Sequence, residues 1–186
     1  NVTSKLKGIQ PGDPNREFLT EEEVELIKQT PCEIPVLKNA FLFSVYSGLR
    51  WSDVVKLKIS DIQYSLEIGY FIRYTQVKTK FNEMLPLPTK AISYVNLEQD
   101  GHERAFKGLK YSSYTNLRLA QWMMSARIFK KITFHSARHT YAALLLTKGS
   151  SIYTLSKLLG HRHLKTTEIY AKILDTTKLD AVRMLD

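Results

Sequence analysis

The apolar and polar positions of the chain alternate in two different rhythms. Residues 20–47 and those from about Lys90 onward have helical spacing, whereas residues 56–88 have a rough period of two. Residues 1–18 follow neither rhythm and hold four residues that interrupt regular structure: Gly8, Pro11, Gly12 and Pro14. We therefore expect a linker over 1–18 and one domain over 19–186.

The first helical stretch contains two helices. Thr20 followed by Glu23 fits a capping box, and the acidic run from Glu21 favours the positive end of a helix dipole. Val24, Leu26 and Ile27 are expected to supply the buried face of this helix. Residues 36–47 predict a second, largely buried helix that breaks at Gly48.

The middle stretch predicts a small sheet. β-Branched and aromatic residues recur there at Ile59, Ile62, Tyr70, Ile72, Tyr74 and Val77. Residues 84–87 resemble a short edge strand that ends at Pro88. The remaining helices are expected at about 113–126, 136–148, 151–158, 166–172 and 176–184, with Gly149 ending one of them. The predicted fold class is mainly α with a three-stranded antiparallel sheet (α+β).

Charge adds a clue to the partner. The chain carries 27 Lys and Arg against 18 Asp and Glu, a formal net charge of +9. Thirteen basic residues and a single acidic one, Glu168, lie between Arg104 and Lys172, whereas residues 1–36 hold four basic and seven acidic residues. This asymmetry favours a polyanionic partner over a merely solvated basic surface.

The composition of the chain excludes some kinds of site and argues against a membrane span. Cys32 is the single cysteine, so an internal disulfide and a cysteine-rich zinc site are excluded. No apolar run reaches the roughly 18 residues of a membrane span. These features fit a reducing cytoplasm. The chain begins with Asn1 rather than Met, which suggests a piece of a longer protein.

Two arginines are candidates for binding a phosphate. Cleavage of a phosphodiester places negative charge on phosphate oxygens, and guanidinium groups stabilise that charge bidentately. Arg50 follows a Ser-Gly-Leu turn, and Asp53 three residues later is positioned to orient it; a structural salt bridge is the alternative for Arg50. His135 and Arg138 lie three apart at a predicted helix start, so both can project from one face.

Two further side chains complete the candidate chemistry. His161, after the Leu158-Leu159-Gly160 helix end, can contact a phosphate oxygen. Tyr170 is a phenol with an ordinary pKa near 10, which must be activated before it can attack. Packing in an amphipathic core is the alternative for this tyrosine. His135 and His139 also have the spacing of a metal pair, but no acidic residue or cysteine cluster accompanies them, so a zinc site is not expected.

A leaving oxygen needs a proton, and a lysine can supply it. Lys78 lies at the expected tip of the β-hairpin, where it can close over a site, and Lys80 is the second candidate.

These residues together resemble the catalytic domain of the tyrosine recombinases, the phage integrase family. The resemblance runs from about Phe18 to the C-terminus. It rests on Ser47-Gly48-Leu49-Arg50 with Asp53, Lys78-Thr79, His135-x-x-Arg138-His139-Thr140, Leu158-Leu159-Gly160-His161 and Thr166-Thr167-x-x-Tyr170. Each motif is weak alone, and their joint order and spacing make the signal strong.

The resemblance implies a role for each residue. Tyr170 would be the nucleophile that forms a 3′-phosphotyrosine, and Arg50, Arg138 and His161 would bind the scissile phosphate. His135 would assist proton transfer or phosphate binding, Lys78 would be the general acid, and Asp53 would support the first arginine. The bond energy would be kept in the phosphotyrosine, so that neither ATP, nor a metal, nor another cofactor would be needed.

The resemblance also implies partners. Four protomers would act on two duplexes of double-stranded DNA as a dimer of dimers, with a monomer expected without DNA. Members of the family usually carry an additional N-terminal DNA-binding domain, which we expect to lie outside this sequence. The helix at 176–184 would dock on a neighbouring protomer through Val182, Met184 and Leu185, or pack on its own domain.

Three alternatives stay open at this point. A type IB topoisomerase shares the fold and most of the catalytic residues, but chain size and the spacing from His161 to Tyr170 favour a recombinase. A non-catalytic DNA-binding module would not need Tyr170 or Lys78. An RNA-binding or structural protein with an incidental basic face is the remaining reading.

Overall fold

A computed structural model describes residues 17–75 and 82–170 of the chain. Seven α-helices occur in those ranges: α1 (Glu21–Gln29), α2 (Pro35–Ser47), α3 (Trp51–Val54), α4 (Thr89–Ile92), α5 (Ser113–Ser125), α6 (Phe134–Thr147) and α7 (Ile152–Leu158). Three strands form one sheet: β1 (Ile62–Ser65), β2 (Gly69–Thr75) and β3 (Asn82–Pro86). The predicted fold class is confirmed. The predicted linker lies almost wholly outside the described residues, as does the helix expected at 176–184.

Helix α1 begins where the capping signal placed it. The Thr20 hydroxyl accepts a hydrogen bond from the Glu23 amide, and the Glu23 carboxylate accepts one from the Thr20 amide at 2.8 Å. Val24 and Ile27 are buried, but Leu26 is 49% exposed, so its assignment to the buried face was wrong. Leu26 is two residues from Val24, about 200° around the helix, and therefore faces solvent.

Helix α2 crosses the centre of the domain. Proline at its first position suits a helix start, and nearly all of its later side chains are buried. Phe41 packs edge-to-face against Trp122 of α5 and Phe134 of α6, with ring centroids 5.7 and 5.8 Å apart. Because α2 packs on both α4 and α6, its C-terminal end is held in a fixed position beside α6.

The turn after α2 depends on glycine. Gly48 has a φ of +69°, which a side chain disfavours, and an added Cβ would lie 2.5 Å from the Tyr141 ring of α6. The helix therefore ends here, as predicted, and the backbone of Gly48 approaches α6 closely. This approach sets up a contact with Arg138 that is described below.

The sheet is antiparallel in the order β1–β2–β3, so β3 is an edge strand as predicted. Ile72 pairs with Ile62 on one side and Leu85 on the other, and Ile72 and Leu85 are buried. Ile59 was expected in a strand, but it lies in a 3-10 turn, in which the Ile62 amide donates to the Ile59 carbonyl. Val77 lies outside the described residues.

The later helices match their predicted positions with two differences. Helix α6 begins at Phe134 instead of 136, because Thr133 and Ser136 cap it, and His135 therefore lies inside the first turn. The helix expected from 166 is replaced by 3-10 turns at Leu164–Thr166 and Glu168–Tyr170. Amide-to-carbonyl bonds over three residues, such as Thr167 to Leu164 at 2.7 Å, produce this tighter winding.

Candidate active site

Arg138 is the structural centre of the candidate site. Its side chain lies on α6 and the residue is 5% exposed. One terminal nitrogen donates to the Gly48 carbonyl at 2.6 Å, and the other donates to the Leu159 carbonyl at 2.5 Å. The Arg138 guanidinium thus links α6 to the C-terminal ends of α2 and α7.

His161 is the second group that the structure brings to this point. Its Nε2 lies 3.2 Å from Arg138 Nη2, and its Nδ1 lies 2.7 Å from the Thr167 hydroxyl. Because a guanidinium can only donate, Nε2 must accept and Nδ1 must carry the proton that Thr167 accepts. The network therefore assigns the neutral imidazole in its Nδ1–H tautomer.

Electrostatics agree with this assignment. Burial lowers the pKa of His161 to about 4, and the positive charges of Arg138 and Arg50 act in the same direction. A neutral His161 at neutral pH follows. Arg50 follows Gly48, whose carbonyl binds Arg138, by two residues in the chain.

Arg50 itself is exposed at the start of α3. An exposed guanidinium is solvated by water and does not require an ion pair. Among the residues that the structure describes, no ion pair joins Arg50 to Asp53, so the expected orienting contact is not made. The Asp53 carboxylate instead accepts a hydrogen bond from the neighbouring Ser52 hydroxyl at 3.3 Å.

Tyr170 ends the last described turn and is 5% exposed. Its hydroxyl lies 2.6 Å from Nδ1 of His139, one residue after Arg138 on α6. The ring packs with Tyr141, Leu155 and Leu159 in a second apolar cluster. The Tyr170 phenol therefore bonds to the residue that follows Arg138 on α6.

His135 lies at the solvent edge of the same group. It is exposed, and its ring packs edge-on against the His139 ring, with centroids 4.6 Å apart. Four predicted residues thus fall in one region, namely Arg50, His135, Arg138 and His161, and Tyr170 joins them through His139. Lys78 and Lys80 lie outside the described residues.

Sequence reasoning missed two contributors to this network. His139 was considered as half of a metal pair and as part of a motif, and Thr167 as part of a motif, but neither was given a contact in the site. The signal for His139 was its position four residues after His135 on a helix, which puts both rings on one face. Thr167 is fully buried, and no pattern in the sequence indicates that its hydroxyl would face His161.

Exposed basic residues lie near His161 in the chain. Lys157, Arg162 and Lys165 flank it in sequence, and Arg50 is exposed as well. Guanidinium, imidazole and phenol groups in one region suit a tetrahedral anion that is attacked by an oxygen. No helix among residues 17–75 and 82–170 has the length and apolarity to cross a membrane.

Comparison with known proteins identifies the family. The sequence model of the phage integrase family matches residues 17–177. A tyrosine recombinase of Thermosipho africanus is 34% identical over 177 residues, a match that includes 91% of this chain and 62% of that protein. This chain belongs to the phage integrase family, and its resemblance to the tyrosine recombinase catalytic domain is confirmed.

Solved structures agree on the fold. The catalytic domain of bacteriophage HP1 integrase aligns with a TM-score of 0.65 at 25% identity, over 89% of this chain and 93% of that one. The XerH site-specific recombinase, bound to its palindromic difH substrate after cleavage, aligns with a TM-score of 0.71 at 18% identity, over 97% of this chain and 57% of that one. The chain spans about half to two thirds of the length of the curated relatives it matches.

Proposed function

We propose that this chain is the catalytic domain of a site-specific DNA recombinase that cleaves and rejoins strands through a 3′-phosphotyrosine. The observation that carries the proposal is that two adjacent residues of α6 hydrogen-bond to the other candidate catalytic residues. Arg138 bonds to His161, and the adjacent His139 bonds to Tyr170. The group has the parts that the reaction needs, namely phosphate-binding donors and an oxygen nucleophile.

Each residue takes a defined part in the proposed reaction. Arg50 and Arg138 donate to the nonbridging oxygens of the scissile phosphate, and His161 contacts the same phosphate. The Tyr170 oxygen attacks phosphorus, the bond to the 5′-oxygen breaks, and Lys78 protonates that oxygen. His135, at the exposed edge, assists in proton transfer or phosphate binding. The phosphotyrosine conserves the bond energy, so no ATP or metal takes part.

The Arg138 guanidinium carries five N–H donors and is held by the carbonyls of Gly48 and Leu159 beside His161, where its positive charge would attract the bound phosphate. Bound phosphate also adds negative charge beside His161. That charge raises the pKa of His161 from its low value, which would allow the imidazole to donate to the phosphate.

The partner is double-stranded DNA, and we propose that four protomers assemble on two sites as a dimer of dimers. The exposed basic residues near His161 in the chain and the net charge of +9 support a polyanionic partner. The relatives named as recombinases support strand exchange over the relaxation of supercoils by a type IB topoisomerase. A DNA-associated location in the cytoplasm follows from this function.

Covalent trapping tests the proposal. The intact protein that contains this chain is mixed with nicked suicide duplexes, made from the DNA beside its own gene and from a randomised pool. A denaturing gel should show a protein–DNA adduct for the wild type and none for Tyr170→Phe. An equal yield of adduct from Tyr170→Phe would refute the nucleophile, and the absence of an adduct from the wild type would refute the cleavage reaction.

A further inference from the structure

The Tyr170 hydroxyl is held by a residue that the proposed mechanism does not use. His139 lies on α6 between the phosphate-binding Arg138 and Thr140, and it is 7% exposed. Its Nδ1 is 2.6 Å from the Tyr170 oxygen, which is a short, well-formed hydrogen bond. A buried imidazole in direct contact with the reacting atom is a candidate for chemistry as well as for packing.

We propose that His139 is the general base for Tyr170: its Nδ1 accepts the phenol proton as the tyrosine oxygen attacks phosphorus. This inference rests on the proposed function. In the step, the bond from the tyrosine oxygen to phosphorus forms and the bond from phosphorus to the 5′-oxygen breaks. The phenol proton moves to His139, and the leaving oxygen takes a separate proton from the general acid.

Chemistry requires such a group. A phenol with an ordinary pKa near 10 is almost fully protonated at neutral pH and is a weak nucleophile in that form. A base must be within hydrogen-bond reach of the proton that it removes, and His139 is. His161 is engaged through both ring nitrogens, with Arg138 and Thr167, so in this arrangement neither of its nitrogens is directed at Tyr170.

A surface histidine adjoins the proposed base. The His135 ring packs edge-on against His139 at 4.6 Å between centroids, and His135 is exposed to solvent. Tyr170, His139 and His135 thus form a row from the buried phenol to the surface. The same row holds the phenol in place, because His139 lies on the helix that also fixes Arg138.

Neighbouring groups contribute to any pH dependence. Two titratable rings that contact His139 are those of Tyr170, from the last described turn, and His135, one turn earlier on α6. The charge of Arg138 is adjacent in the chain, and His161 bonds to Arg138. A pH profile of the wild type alone would therefore mix several groups, so the test compares matched variants.

His139→Asn is the informative variant. The asparagine amide lies near the position of Nδ1 and can still hydrogen-bond to the phenol, but it cannot take up a proton. We expect single-turnover adduct formation on suicide duplexes to fall about 10²- to 10³-fold at pH 7, within the range for general base catalysis. The rate of the variant should then rise steadily toward high pH, as the phenol ionises by itself.

Two controls isolate the effect. His102→Asn removes an exposed histidine in the loop before α5 and should leave the rate and the pH profile unchanged. DNA affinity and the unfolding midpoint of His139→Asn should stay close to those of the wild type. A rate within threefold of the wild type, with the same pH profile, would overturn the assignment of the base.

A sulfur-containing substrate separates the two proton transfers. A bridging sulfur at the 5′ position leaves as a thiolate and needs no general acid. It should not restore His139→Asn, whose defect concerns the nucleophile, and restoration would overturn the proposal by assigning His139 to the leaving group. If the wild type forms adducts that Tyr170→Phe lacks, the proposed function stands whatever the result for His139.

A measurement on the unmodified protein covers the case in which the variant does not fold. Nitrogen-15 NMR of the histidine rings distinguishes the two neutral tautomers. The proposal requires His139 to carry its proton on Nε2 at pH 7.5, which leaves Nδ1 free to accept from Tyr170. A proton found on Nδ1 would mean that His139 donates to the phenol, and the base assignment would fail.

Discussion

At the scale of single residues, the two arginines have the same proposed task in different surroundings. Arg138 is buried and bonds to two backbone carbonyls, whereas Arg50 is exposed and makes no ion pair with the nearby Asp53 among the described residues. A buried charge normally needs hydrogen-bond partners, whereas an exposed charge is solvated by water. Loss of either side chain should therefore slow cleavage, but only loss of Arg138 should also lower stability.

Arg50→Ala and Arg138→Ala should each slow single-turnover cleavage by about 10²- to 10³-fold, as the loss of a charge-stabilising donor does. Only Arg138→Ala should also lower the free energy of unfolding, by about 2–4 kcal/mol, because two buried carbonyls lose their donor. Cleavage assays and urea unfolding of both variants check this, with Arg104→Lys, an exposed residue, as the control. Equal stability losses in the two variants would contradict the structural account.

His161 should make stability depend on pH. An unfolded histidine titrates near pH 6.5, whereas the folded His161 has a pKa of about 4. Below pH 6.5 the unfolded chain binds a proton that the folded protein does not, so stability is full above pH 6.5 and is lost as pH falls toward 4. His161 is half-buried, so after allowance for solvent screening the loss should be about 1–2 kcal/mol.

The comparison is with His161→Gln, which keeps hydrogen-bonding groups but does not titrate. Urea unfolding of both proteins at pH 7 and pH 4.5 gives the difference directly. The wild type should lose more stability than His161→Gln over this interval. Parallel curves for the two proteins would show that burial does not lower the pKa of His161.

At the scale of elements, the end of α2 is the joint that places the site. Gly48 accepts from Arg138 through its carbonyl, and its Cα lies against the Tyr141 ring of α6. Arg50 follows two residues later, so the position of the turn fixes one arginine directly and the other through a hydrogen bond. A change at this turn should therefore alter the positions of both Arg50 and Arg138.

Gly48→Ala should lower the free energy of unfolding by more than the roughly 1–2 kcal/mol cost of a left-handed residue, because the new methyl group would also clash with Tyr141. Gly69→Ala is the matched control, since Gly69 also has a positive φ of +78° but no atom within 4 Å of the added methyl. Thermal or urea unfolding measures both. Equal losses would mean that the contact with Tyr141 does not matter.

Several elements could be predicted because their signals are local. The Thr20 capping box, the buried pattern of α2 and the alternation around Ile72 each depend on neighbours in sequence. The turns near Thr167 could not, because there the contact with His161 competes with a regular helix. The assignment of Leu26 to the buried face was wrong because three apolar residues in four positions do not by themselves show which of them faces inward.

The site was predicted better as a set of residues than as a set of contacts. Arg138, His161 and Tyr170 follow from motif order, and the structure brings them into one region. The link from Tyr170 to His139 joins the last described turn to α6 across 31 positions, and the link from Arg138 to Gly48 joins α6 to the end of α2 across 90. Such geometry cannot be obtained from spacing along the chain.

At the scale of the whole molecule, charge is distributed unevenly between elements. Helix α1 begins with three glutamates, whereas the region around His161 carries exposed arginine and lysine. This asymmetry predicts that one face binds the DNA backbone. Binding through phosphates releases counterions and therefore weakens as salt rises.

DNA affinity should fall steeply with salt, by about 10³-fold or more between 50 and 200 mM if six or more phosphates are contacted. Lys165→Gln should reduce the slope of log affinity against log salt by about one. Lys28→Gln should not change it, because Lys28 lies on α1 and pairs with Glu25. Fluorescence anisotropy on a labelled duplex measures all three proteins, and a flat salt response would contradict the basic face.

The central claim is that Tyr170 becomes covalently joined to a DNA 3′ end. Proteolysis of a trapped adduct followed by mass spectrometry identifies the amino acid that carries the nucleotide and the end to which it is linked. The account predicts a 3′-phosphodiester on the peptide that contains Tyr170. A nucleotide on any other residue, or a linkage to a 5′ end, would contradict it.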